Sequence, residues 1–134
     1  MASIEDVEGI GKAHAAKLRK AGVATTDGLL KAGAKPSGRK DLEASTGIAH
    51  SLILEWVNHV DLMRIKGVGS EYSDLLEAAG VDSCTELAQR NAANLLAKVI
   101  DLNAAKKIVR QVPTEAQIEA WITEAKTMPK LVTH

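Results

Sequence analysis

Residues 4–30 read IEDVEGIGKAHAAKLRKAGVATTDGLL, and residues 62–88 read LMRIKGVGSEYSDLLEAAGVDSCTELA. At a shift of 58 positions Gly9 meets Gly67, Gly11 meets Gly69, Leu18 meets Leu76, Ala21-Gly22-Val23 meets Ala79-Gly80-Val81, and Leu29 meets Leu87. Ile4, Val7 and Ile10 match Leu62, Ile65 and Val68 in kind. Glycines shape the backbone and apolar residues build the core, so agreement in both marks an internal duplication. The rest of each copy repeats less faithfully. Trp56-Val57 in LILEWVNHV resembles Trp121-Ile122 in QIEAWITEA at an offset of 65. Each half reads as a glycine turn followed by helices that end on one bearing a tryptophan.

Apolar spacing and punctuation between these landmarks are helical throughout, and strand patterns are absent. Lys12–Ala21 is expected as a helix with Ala15 and Leu18 inward and Gly22 as a left-handed stop. Its counterpart is Ser70–Ala79, closed by Gly80. Thr25–Ala32 pairs with Ser83–Arg90, where Ser83 and Glu86 make a capping pattern. Pro36–Ala44 starts on its proline, and Ala49–Met63 carries Leu52, Ile53, Trp56, Val57 and Val60 on one stripe. Asn94–Leu102 and Ala104–Gln111 follow, separately or as one bent helix, and Thr114 with Gln117 caps Glu115–Met128. The fold class expected is all-α: tandem pseudo-repeats of about nine or ten short helices in one compact bundle. The units span residues 1–61 and 62–128, with 129–134 as a frayed tail. Asn58 to Arg64 holds no glycine, proline or serine, so helix is expected to run between the units and make them one cooperative fold.

The chain is 46% apolar, which suits a packed core, and that content comes almost entirely from Ala, Leu, Val and Ile. Phe is absent and Tyr72 is the only tyrosine, so thin helices pack through small side chains. Lys plus Arg equals Asp plus Glu at 17 each, unlike a protein that coats DNA, so charge has to be read by segment. The single Cys84 excludes an internal disulfide and suits a reducing cytoplasm. MASIEDVEGIG is acidic and lacks the apolar stretch of a signal peptide. No apolar run nears the roughly 20 residues that span a bilayer. A soluble cytoplasmic protein is the expectation.

Specific chemistry centres on Val7-Glu8-Gly9-Ile10-Gly11 and Ile65-Lys66-Gly67-Val68-Gly69. Two glycines around one apolar residue allow a tight reversal, with Ile10 or Val68 plugged into the core. The second glycine opens the next helix, whose first N–H groups lack intrahelical partners and sit at the positive end of the dipole. That is a ready anion site, and a phosphate meets no side chain on its way in.

Both segments resemble the helix-hairpin-helix motif of DNA repair and recombination proteins. Ile4, Val7, Gly9, Ile10, Gly11, Ala15 and Leu18 fill its pattern in the first copy, and Leu62, Ile65, Gly67, Val68, Gly69, Ser73 and Leu76 in the second. The continuation through Ala21-Gly22-Val23 and Leu29, and through Ala79-Gly80-Val81 and Leu87, looks like the longer form near the carboxy end of bacterial RNA polymerase alpha subunits. The whole chain is similar to an uncharacterised bacterial family of tandem units, related to the helix-three-turn-helix part of flap endonucleases. The resemblance implies sequence-independent grip on the nucleic-acid backbone, most naturally duplex DNA, in a non-catalytic accessory role. Carried over, Gly9, Ile10, Gly11 and Lys12 supply amides and one charge, with Lys17, Arg19 and Lys20 on the helix that follows. In the second copy the equivalent helix carries Glu71, Asp74 and Glu77, which repel phosphate. Gly67, Val68, Gly69 and Ser70 are therefore expected to serve the fold, with Gly69 at a place where a Cβ disturbs the turn. The alternative is a protein-interaction or scaffold module that keeps the hairpins as interhelical turns only.

Other candidates carry less. Trp56 and Trp121 have the faces to stack on bases, but each lies on an apolar stripe and reads as core. His14, His50, His59 and His134 do not have zinc-ligand spacing, and no metal or other cofactor is expected. Carboxylates are spread along helix faces rather than clustered for nuclease metals, and Cys84 reads as a small buried residue, so enzyme activity is not expected. Lys106, Lys107 and Arg110 form a second basic cluster on an expected helix face. Neither a membrane nor a small-molecule substrate is indicated.

Overall fold

The computed structural model describes residues 2–134. Among the described residues all regular structure is helical: eight α-helices, a 3-10 turn at Ile4–Asp6, and one isolated bridge between Ser3 and Thr25. The chain divides into two compact units, one running up to Asp61 and completed by Leu131–His134, the other Leu62–Lys130.

In the first unit, Ser3 opens the 3-10 turn with a capping box to Asp6. α1 (Lys12–Lys20) ends at Gly22, whose φ of 91° lets Val23 N–H reach back to Leu18 O at 2.8 Å. α2 (Thr26–Gly33) is capped by the Thr25 hydroxyl on Gly28 N–H, and α3 (Pro36–Thr46) starts on its proline. α4 (His50–Leu62) carries Ile53, Trp56, Val57 and Val60, all buried. Ile4, Val7, Ile10, Ala15, Leu18, Val23, Leu29, Leu42 and Ile48 are buried in the same unit. Leu18 and Leu29 are fully inside, as their helical spacing requires.

Residues 131–134 are no frayed end in this structure. Val132 is buried, and Thr133 N–H donates to Ala34 O at 2.8 Å. Arg39, 1% exposed, donates from Nη1 to Gly33 O (2.8 Å) and Ala34 O (3.2 Å), and from Nη2 to Thr133 O (2.7 Å). Burial lowers its pKa from the ordinary arginine value, although a guanidinium stays charged at any working pH. The expectation of a tail fails because nothing local in PKLVTH announces a buried valine or a carbonyl that satisfies a distant arginine.

The second unit holds α5 (Ser70–Ala78), α6 (Cys84–Ala88), α7 (Ala92–Lys106) and α8 (Glu115–Ala125). α1 and α5 each span nine residues and start 58 positions apart. Ser83 caps α6 through Glu86 N–H, and Thr114 with Gln117 makes a full capping box for α8. Leu62, Ile65, Val68, Leu75, Leu76, Val81, Leu87, Leu95, Val99, Ile118 and Trp121 form its core.

The expected helix Ala104–Gln111 does not form. α7 ends at Lys106, and Lys107 turns left-handed at φ 51° with its N–H on Asn103 O. Asn103 then holds Val109 twice: its Nδ2 donates to Val109 O (3.1 Å), and Val109 N–H donates to Asn103 Oδ1 (2.9 Å). Pro113 further disfavours helix at Val112. α7 thus covers the first expected helix and only residues 104–106 of the second, which leaves eight α-helices among the described residues.

Candidate functional site

The first Gly-x-Gly turn is built by hydrogen bonds that leave little choice of backbone. Val7 N–H donates to Ile4 O and Ile10 N–H to Val7 O, and Ile10 is buried at 5% exposure. Gly9 sits at φ 92°, outside the range L side chains favour, and a Cβ there would lie 3.3 Å from Trp56 Nε1. Trp56, 1% exposed, packs on the His14 ring with centroids 5.1 Å apart and planes tilted by 54°. The second turn repeats this geometry. Gly67 has φ 89°, a Cβ on it would lie 3.2 Å from Trp121 Nε1, and Trp121 packs on Tyr72 at 5.2 Å and 53°. Both tryptophans belong to the core, as their stripes suggest, and neither presents a face for stacking on a base.

The other glycine of each pair behaves differently. Gly11 (φ −83°) and Gly69 (φ −90°) are extended residues at the starts of α1 and α5, and a Cβ on either meets nothing within 4 Å. The expectation that a Cβ at Gly69 disturbs the turn is therefore corrected: the conformation is open to any residue and the space is free. What glycine does provide at these positions is an unobstructed path to the helix start. Neither helix has a side-chain cap there.

Charge separates the two turns. α1 has no acidic residue in its first turn, and Lys12, Lys17 and Lys20 are exposed. Lys20 lies eight residues along from Lys12, about 12 Å at 1.5 Å per residue, so the three lysines are spread along the length of α1. Arg19 is engaged elsewhere: its Nη2 donates to Glu5 Oε2 (3.1 Å) and Ser3 Oγ (3.3 Å), tying α1 to the 3-10 turn. In α5, Glu71 is exposed in the first turn, and the Ser70 carbonyl accepts from Ser73 Oγ at 2.8 Å.

One neighbour of the second turn was not legible from local sequence. Lys107 and Arg110 line a polar depression together with Glu71, Asn103, Ile108 and Val109. Tyr72 Oη donates to Gln111 O at 3.1 Å, which fastens the 107–112 loop beside α5. Of the basic cluster 106, 107 and 110, only Lys106 is on a helix.

The histidines sit in separate settings. His14 lies on Trp56, His50 donates its backbone N–H to Glu43 Oε2 (3.0 Å), His59 is buried, and His134 Nε2 is 2.9 Å from Asn58 Oδ1. Cys84 is buried, as a small core residue would be. No helix among the described residues is long and apolar enough to cross a membrane.

Residues 8–128 match the family described as Domain of unknown function (DUF4332). The chain belongs to that family. The match takes in Gly9, Gly11 and both tryptophans, so the DUF4332 region includes most of the first turn and all of the second. No curated protein matched the chain, and no solved structure matched it.

Proposed function

We propose that this protein binds nucleic-acid backbone, in particular duplex DNA, without reading sequence, and that the first Gly-x-Gly turn does the binding as a helix-hairpin-helix element. The observation that carries this reading is Gly11: the fold does not require glycine there, and it stands at the uncapped start of α1. A phosphate oxygen approaching Gly11 meets amide donors and the positive end of the helix dipole. Lys12 adds charge beside it, and Lys17 and Lys20 reach toward neighbouring phosphates. The residues proposed to make contact are Gly9, Ile10, Gly11, Lys12, Lys17 and Lys20, with Arg19 held back by Glu5. Nothing in this role needs a reacting group, so the activity proposed is accessory and non-catalytic.

The test is binding of a labelled duplex by fluorescence anisotropy across a salt series. Contact with about three phosphates predicts roughly a 40-fold loss of affinity between 50 and 200 mM salt. Scrambling the duplex sequence leaves affinity unchanged, and replacing Lys12, Lys17 and Lys20 by glutamate removes retention. Salt-insensitive or sequence-selective binding contradicts the mechanism. A protein-interaction module, the competing reading, draws on the acidic face of α5 and predicts no duplex retention at either salt.

A further inference from the structure

Arg39 is a charged residue in the interior of the first unit, and part of what satisfies it comes from 94 positions away. Without Thr133 O, Nη2 would lose its carbonyl acceptor, and Nε is already buried with no hydrogen-bond partner. The groove in which this happens has the features of a peptide site. Ala34 O accepts a backbone N–H from the segment, Arg39 donates to its carbonyl, Val132 is buried, and Asn58 receives His134. At one end Leu131 stays 44% exposed beside a cavity of about 340 Å³ that it shares with Asp27, Leu30, Lys31 and Ala34. The segment thus only partly fills the space available to it.

We infer that the first unit carries a docking groove for a short extended peptide, and that Leu131–His134 is its resident ligand, a detachable strap rather than an integral part of the core. This is independent of the nucleic-acid reading. Its ligand chemistry is set by the contacts. Each partner needs a free N–H and carbonyl on one residue for Ala34 and Arg39, a β-branched apolar residue just before it, and a large apolar residue before that. One buried side chain and a handful of hydrogen bonds hold the strap, a contact of the size that ligands make and break. The cavity beside Leu131 means that a larger side chain at that position binds better than leucine does.

Hydrogen exchange on the unaltered chain tests detachability. The Thr133 amide should exchange through a local opening, well before the Leu18 amide of α1. Exchange of Thr133 only with global unfolding overturns the proposal. Specificity is tested with Val132→Asp in the full chain, which removes the anchor and leaves the groove intact. A labelled peptide of residues 128–134, blocked at both ends, should bind this variant saturably and the unaltered chain at least tenfold more weakly. The same peptide with aspartate for its valine should not bind, and one with phenylalanine for its leucine should bind more tightly. If Val132→Asp does not fold, Thr133→Pro, which deletes both the N–H and the hydroxyl given to Ala34, takes its place. Equal binding to the variant and the unaltered chain, or none to a folded variant, overturns the assignment.

Discussion

A Cβ placed on Gly9 would lie 3.3 Å from the indole nitrogen of Trp56, and in the second unit the same holds for Gly67 and Trp121 at 3.2 Å. In each unit one glycine lies against the tryptophan while the glycine two residues on faces open space. Two residues that look alike in sequence therefore divide the work: the first serves the fold, and the second leaves the helix start clear.

Alanine at the two kinds of position should separate these roles. Gly9→Ala and Gly67→Ala combine positive φ with a crowded indole and should each cost about 1–3 kcal/mol. Gly11→Ala and Gly69→Ala should stay within about 0.5 kcal/mol of the parent, as surface changes without a special conformation do. Denaturant midpoints for the four variants check this, and equal losses at all four would refute the division.

The helical periodicity, the stops at Gly22 and Gly80 and the caps at Ser83 and Thr114 were readable because each depends on residues within one or two turns. The difference between Gly9 and Gly11 was not, because it rests on Trp56, which is 47 positions away and reaches only one of them. Arg39 was equally hidden. A lone arginine among polar residues reads as solvent-facing, and one of the carbonyls that satisfy it, Thr133 O, lies 94 positions away. The end of α7 was missed because Asn103 stops it through side-chain bonds to Val109, while the alanines and lysines after it favour helix. For the candidate site the sequence placed the amides and the lysines, but the pairing of Arg19 with Glu5 needed the fold.

Arg39→Met should destabilise the first unit by about 1–3 kcal/mol, because the buried carbonyl of Gly33 and the part-buried carbonyl of Thr133 lose their donor. Arg39→Lys should not restore it, since one ammonium cannot reproduce the fork that serves Gly33, Ala34 and Thr133 together. Thermal unfolding of both variants beside the parent measures this, and full rescue by lysine would contradict the geometry.

At Lys107 the backbone is left-handed without being glycine, so Lys107→Gly should raise stability by about 0.5–1 kcal/mol. Asn103→Leu should lower it by about 1–2 kcal/mol, since two bonds to Val109 go with it. Unfolding free energies that move in the opposite directions would show that Asn103 and Lys107 do not set the end of α7.

Because Trp56 and Trp121 are enclosed, their fluorescence should keep a blue-shifted maximum and remain unquenched when duplex DNA is added at saturating concentration. Strong quenching on binding would mean that bases reach an indole, which a backbone grip through α1 does not allow.

The most direct test of that grip is a pair of valine variants assayed side by side for duplex affinity and thermal stability. Gly11→Val places a branched side chain in the open approach to α1 and leaves an extended backbone undisturbed. Gly69→Val does the same before α5. The account predicts that both melt with the parent, that Gly11→Val loses at least tenfold in affinity at 50 mM salt, and that Gly69→Val keeps the parent's affinity. A well-folded Gly11→Val protein that binds duplex as tightly as the parent would contradict it.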